Sequence, residues 1–189
     1  MTAGKLLLIR HAETDLAGTF CGSSDPPINA AGEAQIAALL EALSKQPIDA
    51  VYSSDLKRAQ MTAQPIAAKF LAELHTVANL REIHFGEWES LTWREIEQRD
   101  PVTAKLWLDR FPKLPVPGGD HISSFEARVL SAFDALTALE QNAAIVTHAG
   151  VIRVLLKRRC MLSDEEAWNV TKPHCSIFEY SPREVLHTR

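Results

Sequence analysis

The sequence predicts an α/β fold, a three-layer α/β/α sandwich in which helices cover both faces of a mostly parallel sheet. Short runs of apolar and β-branched residues alternate along the chain with longer segments in which apolar residues recur at helical spacing. Two of the short runs are continuously apolar, which is typical of strands buried in a parallel sheet. The length of 189 residues fits one domain of ordinary size.

Five short runs are predicted as strands because they are rich in apolar or β-branched residues and lack a helical period. In chain order they are residues 5–9, 48–52, 73–78, 143–147 and 175–180. The first run ends abruptly at Arg10 and His11, and the fourth ends at His148. Strands that alternate with helices in this way indicate a parallel sheet.

Helices are predicted where apolar residues recur three and four positions apart. Counting their caps, they cover residues 29–45, 54–69, 93–99, 102–110, 123–139 and 150–159. We expect Asn29 to cap the first helix, and Ser54 or Asp55 to cap the second. Pro65 lies inside the second helix, so a kink or an early stop is expected there. Pro101 separates the third helix from the fourth.

A long loop is predicted before the fifth helix, because prolines and glycines cluster there. They are Pro112, Pro115, Pro117, Gly118 and Gly119. Long loops in compact domains are often functional.

The composition excludes several classes of protein. The hydrophobic fraction of 46% and the charged fraction of 23% are typical of a globular chain. Twenty basic and 24 acidic residues give a net charge of −4, whereas sequence-independent nucleic-acid binding needs a basic surplus. The apolar run at residues 6–9 is too short for a signal peptide or a membrane span. Cys21, Cys160 and Cys175 lack C-x-x-C spacing and indicate reduced thiols in a cytoplasmic protein.

The two strand-end histidines predict a common site. Ligands of open α/β sheets bind outside the carboxyl ends of the strands, so His11 and His148 should converge there. Arg10 and Arg58 add two guanidinium groups, and each can bind a phosphate or a carboxylate through two parallel hydrogen bonds. The turns after both histidines, residues 12–14 and 149–150, can present backbone N–H groups to the same anion.

Four sequence blocks resemble the histidine phosphatase (phosphoglycerate mutase-like) superfamily, in the order typical of that family. They are L-L-L-I-R-H-A-E-T at 6–14, V-Y-S-S-D-L-K-R-A-Q-M-T-A at 51–63, L-R-E-I-H-F-G-E-W-E at 80–89 and V-T-H-A-G-V-I-R at 146–153. The resemblance implies one domain over residues 1–189, with residues of about 80–122 as a lid-like insertion over the site. It further implies the small phosphatase branch of the superfamily.

The resemblance also implies a mechanism. His11 would attack phosphorus and form a phosphohistidine. Arg10, Arg58 and His148 would surround the transferring group, where negative charge is concentrated in the transition state. Glu82 matches the proton donor of the family and would later activate water. The resemblance implies neither a metal ion nor another cofactor.

Further residues are carried over as parts of the substrate pocket, and they are Thr14, Cys21, Gly22, Ala149 and Trp93. Glu87 and Glu89 stand close to Glu82 in the sequence and compete with it for the acid role. The expected partner is a small phosphomonoester, with no nucleic acid or membrane, and the chain is expected to be a monomer or a homodimer.

Three functions stay open at this stage, and hydrolysis of phosphomonoesters is favoured. A phosphoglycerate mutase needs cations at both ends of its substrate, but here Trp93 occupies the place of one such basic residue, and only Arg99 and Arg110 lie further on. The G-E-W-E-S-L-T block at residues 86–92 resembles α-ribazole-5′-phosphate phosphatases of cobalamin synthesis, and Trp88 or Trp93 could stack on an aromatic base. A non-catalytic protein that binds phosphate ligands is the third alternative.

Overall fold

A computed structural model describes residues 4–110 and 113–181, and these contain five strands and seven α-helices. The strands are β1 (Leu6–Arg10), β2 (Ala50–Ser53), β3 (Glu73–Thr76), β4 (Ala143–Thr147) and β5 (Ile177–Tyr180). The helices are α1 (Ala30–Ala42), α2 (Lys57–Phe70), α3 (Trp93–Arg99), α4 (Pro101–Arg110), α5 (Ile122–Thr137), α6 (Ala149–Arg159) and α7 (Asp164–Thr171). None of the described helices is long and apolar enough to cross a lipid bilayer.

The strands form one sheet in the order β3-β2-β4-β1-β5. The first four of these run parallel to one another, whereas β5 pairs antiparallel with β1 at the edge. The predicted α/β class with a mostly parallel sheet is therefore confirmed.

Each face of the sheet has its own apolar core, because successive side chains of a strand point to opposite faces. Leu7 and Ile9 of β1 pack with side chains of α1 and α2 on one face. Leu6 and Leu8 pack with side chains of α5, α6 and α7 on the other face. The helices therefore form the two outer layers of the predicted sandwich.

The helix that contains Pro65 reaches its predicted end, near Lys69, without stopping early. α2 continues through Pro65 to Phe70, so the expected early stop is wrong. A proline in a helix removes one backbone hydrogen bond. Ala63 and Ile66, on the two sides of Pro65, are fully buried against the sheet, and this packing holds the helix in place.

The start of α2 is not capped by either residue predicted for that role. Its N-cap is Leu56, which makes no side-chain hydrogen bond to the helix. Ser54 instead contacts His148, and Asp55 forms a hydrogen-bonded ion pair with Arg81. Both polar side chains are engaged elsewhere.

The start of α1 is as predicted, whereas α7 was not predicted. The side-chain oxygen of Asn29 accepts a hydrogen bond from the Gly32 N–H and caps α1, which ends at Ala42, short of the predicted end. α7 begins with a capping box, in which Ser163 and Glu166 each bind the other's backbone N–H.

The segment between β3 and α5 has an apolar cluster separate from the two cores. Its buried members are Trp88, Ile96, Ala104 and Val116, and the residues packed against them are Phe20, Phe85, Leu91, Trp93 and Trp107. The cluster supports α3 and α4. Of the loop predicted at residues 112–119, Pro112 lies outside the described residues, and residues 113–119 contain no helix or strand.

The register of the sheet brings three strand ends to one edge. The last residue of β1 lies opposite the last residue of β4, and the last residue of β2 lies opposite the residue before it in β4. The residues that directly follow these strands are His11, Ser54 and His148. They therefore meet at the edge where ligands of such sheets bind.

Candidate active site

His11 and His148 lie side by side at this edge. Their ring centroids are 5.1 Å apart, and both side chains are buried. Arg10 and Arg58 are close enough to both rings to act on them electrostatically. The structure thus brings together the four groups that the sequence predicts around one anion.

His11 carries a free lone pair on one ring nitrogen. Its Nδ1 lies 2.7 Å from the carbonyl oxygen of Ala12, which only accepts hydrogen bonds, so Nδ1 bears the proton and Nε2 does not. Burial, and after it the positive charge of Arg58, holds the pKa of His11 well below 6.5. The ring is therefore neutral near pH 7, which is the state that a nucleophile requires.

Arg58 is fully buried, and the loop before α1 holds its guanidinium. Nη1 donates to the carbonyl of Ser24 at 2.5 Å, and Nη2 donates to those of Gly22 at 2.7 Å and Cys21 at 3.3 Å. Cys21 and Gly22, predicted to line the substrate pocket, thus bind Arg58 through their backbones.

Arg10 is held by the end of α7. Its Nη1 donates to the carbonyls of Thr171 at 2.9 Å and Lys172 at 2.6 Å, where the helix leaves carbonyls without intrahelical partners. Its Nη2 contacts His174. Burial lowers the pKa of Arg10 to about 10, so the group stays charged near neutral pH.

His148 is held by Ser54. Its Nε2 lies 2.9 Å from Ser54 Oγ. Burial, followed by Arg58, holds the pKa of His148 well below 6.5. When the hydroxyl donates to Nε2, the neutral ring carries its proton on Nδ1.

Three buried side-chain nitrogens have no hydrogen-bond partner within the described part of the chain. They are Arg10 Nε, Arg58 Nε and His148 Nδ1. An unpaired buried donor costs about 1–3 kcal/mol, so such groups are rare and call for an explanation. All three belong to residues predicted to bind phosphate, whose oxygens are strong acceptors.

Glu82 lies at the N-terminus of α6. Its Oε2 accepts a hydrogen bond from the Gly150 N–H at 2.8 Å, and its Oε1 accepts one from the Ile83 N–H at 2.9 Å. A Cβ atom at position 150 would lie 2.2 Å from Glu82 Oε1, so the carboxylate could keep this position only beside a glycine and would have to shift beside any other residue. Glu82 also borders an open pocket of about 410 Å³, with Ser23, Ala78, Asn79, Arg81, His84, Asp120 and Arg128.

The rival carboxylates are placed differently. Glu87 is exposed. Glu89 is half-buried and accepts hydrogen bonds from the backbone N–H groups of Gly22, Ser23, Ser24 and Phe85, at 2.8–3.2 Å. Burial alone would raise the pKa of Glu89, but the bonds from the Ser24 hydroxyl and these N–H groups lower it to about 2. Glu89 therefore stays ionised and ties residues 22–24 to residues 85–89.

The other predicted pocket residues lie in three different parts of the fold. Thr14 is buried in the turn after β1, and its hydroxyl accepts a hydrogen bond from the Leu16 N–H at 3.3 Å. Ala149 is the first residue of α6 and follows His148 directly. Trp93 packs into the aromatic cluster, with its ring centroid 6.0 Å from that of Trp88.

Sequence reasoning considered Ser54 as a helix cap and Glu89 as a rival acid, and it gave His174 no role at the site. The position of Ser54 at the end of β2 was a usable signal, because side chains at the carboxyl ends of neighbouring strands converge. Glu89 ends one of the four sequence blocks, whereas no periodicity or motif marks His174.

The fold and the site define an α/β enzyme that handles phosphate groups. The family model of the histidine phosphatase superfamily (branch 1) matches residues 6–185, and the chain belongs to that family. The resemblance stated from the four sequence blocks is thereby confirmed, as is the prediction of an enzyme of the histidine phosphatase class.

Relatives in this family include phosphatases with different named substrates. A metal-independent phosphoserine phosphatase of Arabidopsis thaliana is 35% identical over 164 residues, which cover 82% of this chain and 68% of the relative. An adenosylcobalamin/alpha-ribazole phosphatase of Salmonella typhimurium is 29% identical over 170 residues, covering 87% and 84%. The crystal structure of the alpha-ribazole phosphatase from Shigella flexneri superimposes with a TM-score of 0.82 at 28% identity, covering 93% of this chain and 89% of that one.

Proposed function

We propose that the chain hydrolyses phosphomonoesters through a phosphohistidine on His11. The observation that carries the proposal is the set of three buried, unpaired nitrogens beside the free Nε2 of this ring. One tetrahedral dianion supplies acceptors for all three donors. The two guanidinium groups supply the positive charge that stabilises the transition state.

The reaction has two steps. In the first, Nε2 of His11 bonds to phosphorus, the bond from phosphorus to the ester oxygen breaks, and Glu82 gives that oxygen a proton. In the second, Glu82 takes a proton from water, whose oxygen attacks phosphorus and breaks the bond to nitrogen. The products are the alcohol, inorganic phosphate and the free enzyme.

The decisive measurement is phosphate release from a phosphomonoester in excess chelator. We expect turnover by the wild type and none by His11→Ala, with an acid-labile phosphohistidine trapped in the wild type alone. Turnover by His11→Ala, or loss of wild-type turnover with chelator, would overturn the proposal. A protein that only binds phosphate ligands forms no phosphohistidine, so trapping also decides that alternative.

The role of Glu82 is tested by comparing substrates whose leaving groups differ in their need for a proton. Glu82→Gln is expected to lower kcat/KM, which reports the step in which the ester oxygen leaves, by about 10²–10⁴-fold for an alkyl phosphate, because the alkoxide needs a proton as it leaves. The loss should be much smaller for p-nitrophenyl phosphate, whose phenolate leaves without one. Glu87→Gln is the control, since Glu87 is exposed. Equal losses with both substrates would remove Glu82 from the acid role.

Hydrolysis is favoured over the mutase reaction by the place of Trp93. Its ring packs with Phe20, Trp88 and Trp107 in the apolar cluster and brings no second cation to the substrate. Product analysis with phosphoglycerate separates the two reactions, since a mutase transfers phosphate to the second hydroxyl faster than to water.

Two substrate classes compete for the open pocket beside Glu82. The α-ribazole phosphatases among the relatives support α-ribazole 5′-phosphate. Phosphoserine is the second candidate, because the pocket is lined by charged and polar side chains, whereas Trp88 is buried away in the aromatic cluster. The phosphoserine phosphatases among the relatives support this class as well. Comparison of kcat/KM for the two phosphomonoesters distinguishes them.

We also propose that residues of about 80–122 have a lid-like role over the site. The proposal includes a cytoplasmic location and a monomeric or homodimeric state. The separate apolar cluster of this segment and its side chains beside Glu82 support a cover over the leaving group.

A further inference from the structure

A third histidine, His174, lies against the nucleophile, although it belongs to none of the four sequence blocks. Its ring centroid is 5.7 Å from that of His11, and the two rings are inclined by 54°. His174 lies between α7 and β5, and its side chain is only 13% exposed. Its Nε2 is 2.9 Å from Nη2 of Arg10.

The contact with Arg10 determines which nitrogen of His174 bears the proton. A guanidinium group only donates hydrogen bonds, so Nε2 of His174 accepts and Nδ1 carries the proton. Burial, followed by the charge of Arg10, lowers the pKa of His174 to about 4, which keeps the ring neutral near pH 7. Nδ1 faces Glu13 Oε2 at 3.8 Å, and Asn29 and Gln35 hold that carboxylate.

His174 completes a set of three acceptors around one side of Arg10. The carbonyls of Thr171 and Lys172 accept hydrogen bonds from Nη1, and the imidazole accepts one from Nη2. Acceptors on both terminal nitrogens fix the rotation of the guanidinium plane. The unpaired Nε–H of Arg10 then has one defined direction beside His11.

We propose that His174 is a positioning residue for phosphoryl transfer, which holds the Arg10 guanidinium in place through the lone pair on its Nε2. The inference rests on the proposed function. His174 acts through Arg10 and exchanges no proton with the substrate.

Two substitutions at His174 distinguish the contribution of the Nε2 lone pair from that of the ring itself. His174→Gln keeps an acceptor, because the side-chain oxygen of glutamine reaches about as far as Nε2 does, but it removes the ring. His174→Phe keeps a ring against His11 but has no acceptor. The same substitutions at His75, which lies on the edge strand β3 with a side chain 39% exposed, are the matched controls. Thermal unfolding of every variant checks that it is folded.

We expect His174→Phe to lower kcat/KM by about 10- to 100-fold, the effect of displacing a group that orients a reacting centre. His174→Gln should recover most of this loss, and both His75 variants should match the wild type. If His174→Phe is as active as the wild type, or if it is more active than His174→Gln, the lone pair has no positioning role and the inference is wrong.

Two further measurements separate this inference from the proposed function. Binding of inorganic phosphate, measured by calorimetry, needs no turnover, and its affinity should fall in His174→Phe and recover in His174→Gln. If the wild type lacks turnover but phosphate affinity follows this order, the proposed function fails and the positioning role stands. In an Arg10→Met background, His174→Phe should cost less than threefold in phosphate affinity. If His174→Phe lowers phosphate affinity in the Arg10→Met background as much as it does in the wild type, His174 does not act through Arg10.

Discussion

At the scale of single residues, the site depends on a few polar atoms held by the backbone. The terminal nitrogens of Arg58 donate hydrogen bonds to the carbonyls of residues 21–24. Nη1 of Arg10 donates to two carbonyls at the end of α7, and its Nη2 donates to His174. These bonds fix both guanidinium groups while leaving Nε of each without a protein partner. The binding geometry for an anion is therefore present before the anion arrives, which lowers the cost of reorganisation in the reaction.

Gly150→Ala tests the place of the proposed acid. The new Cβ would lie 2.2 Å from Glu82 Oε1, so the carboxylate must move away from the start of α6. We expect kcat/KM for an alkyl phosphate to fall on the order of 100-fold, with a smaller fall for p-nitrophenyl phosphate. Steady-state kinetics with both substrates measures the difference.

Gly18→Ala is the control for this substitution. Gly18 has a φ of +85°, which strains any other residue, but a Cβ there meets no atom within 4 Å. It should lower thermal stability without changing the ratio of the two activities. A Gly150→Ala enzyme with wild-type kinetics on alkyl phosphates would contradict the placement of Glu82.

At the scale of elements, two short segments outside the sheet support the arginines. Glu89 binds the N–H groups of residues 22–24, whose carbonyls in turn bind Arg58. α7 presents its last carbonyls to Arg10. Neither segment contributes a strand, yet each determines where one cation lies.

Glu89→Gln tests the first of these supports. The neutral amide accepts fewer and weaker hydrogen bonds, and its NH₂ group opposes the N–H donors of the loop. We expect the free energy of unfolding to fall by about 1.5–3 kcal/mol, the range for hydrogen bonds to a buried charged group. kcat/KM should fall with it, because residues 21–24 hold Arg58. Urea unfolding and steady-state kinetics measure the two effects.

The matched control is Glu87→Gln, two positions away and exposed. Its stability should stay within about 0.5 kcal/mol of the wild type. If both glutamine variants behave alike, the hydrogen bonds of Glu89 do not hold the loop.

The sequence predicts the elements that carry strong periodicity, and these are the ones that form the core. The five strands and the longer helices follow from apolar patterns, and His11 and His148 follow from the ends of two strands. α7 was missed because it is only eight residues long and buries few of them, although the S-x-x-E pattern at its start was visible. His174 could not be predicted, because its contact with Arg10 depends on where α7 ends and β5 begins. Pro65 shows the reverse case, in which tertiary packing outweighs a local signal.

At the scale of the whole molecule, the sheet brings charged and neutral groups from distant parts of the chain into one buried centre. Two arginines and three histidines lie there largely buried, and burial keeps the imidazoles neutral. Folding therefore opposes protonation of these rings, and stability must depend on pH.

The free energy of unfolding should fall as the pH drops below about 6.5. Burial holds the pKa of His11 and His148 well below 6.5 in the folded state, whereas unfolded histidine titrates near 6.5. Above that pH neither state binds these protons, and below it the unfolded state binds more of them. Each ring contributes a slope of at most about 1.4 kcal/mol per pH unit.

Urea unfolding at pH 7.5, 6.5 and 5.5 measures this slope. His148→Asn should make it shallower, whereas His75→Asn should not. A wild-type stability that is flat across this interval would show that the rings are not shielded in the folded protein.

The aromatic cluster between β3 and α5 gives the chain a built-in optical signal. Three of its four tryptophans, Trp88, Trp93 and Trp107, lie in that cluster, and the fourth, Trp168, lies in α7 with the guanidinium of Arg153 over its ring. Intrinsic fluorescence therefore reports mainly on how residues 80–122 are packed. Rapid-mixing records of emission and of phosphate release can then test the proposed lid-like role, because a change in emission that precedes or follows the chemical steps would report a rearrangement of this cluster.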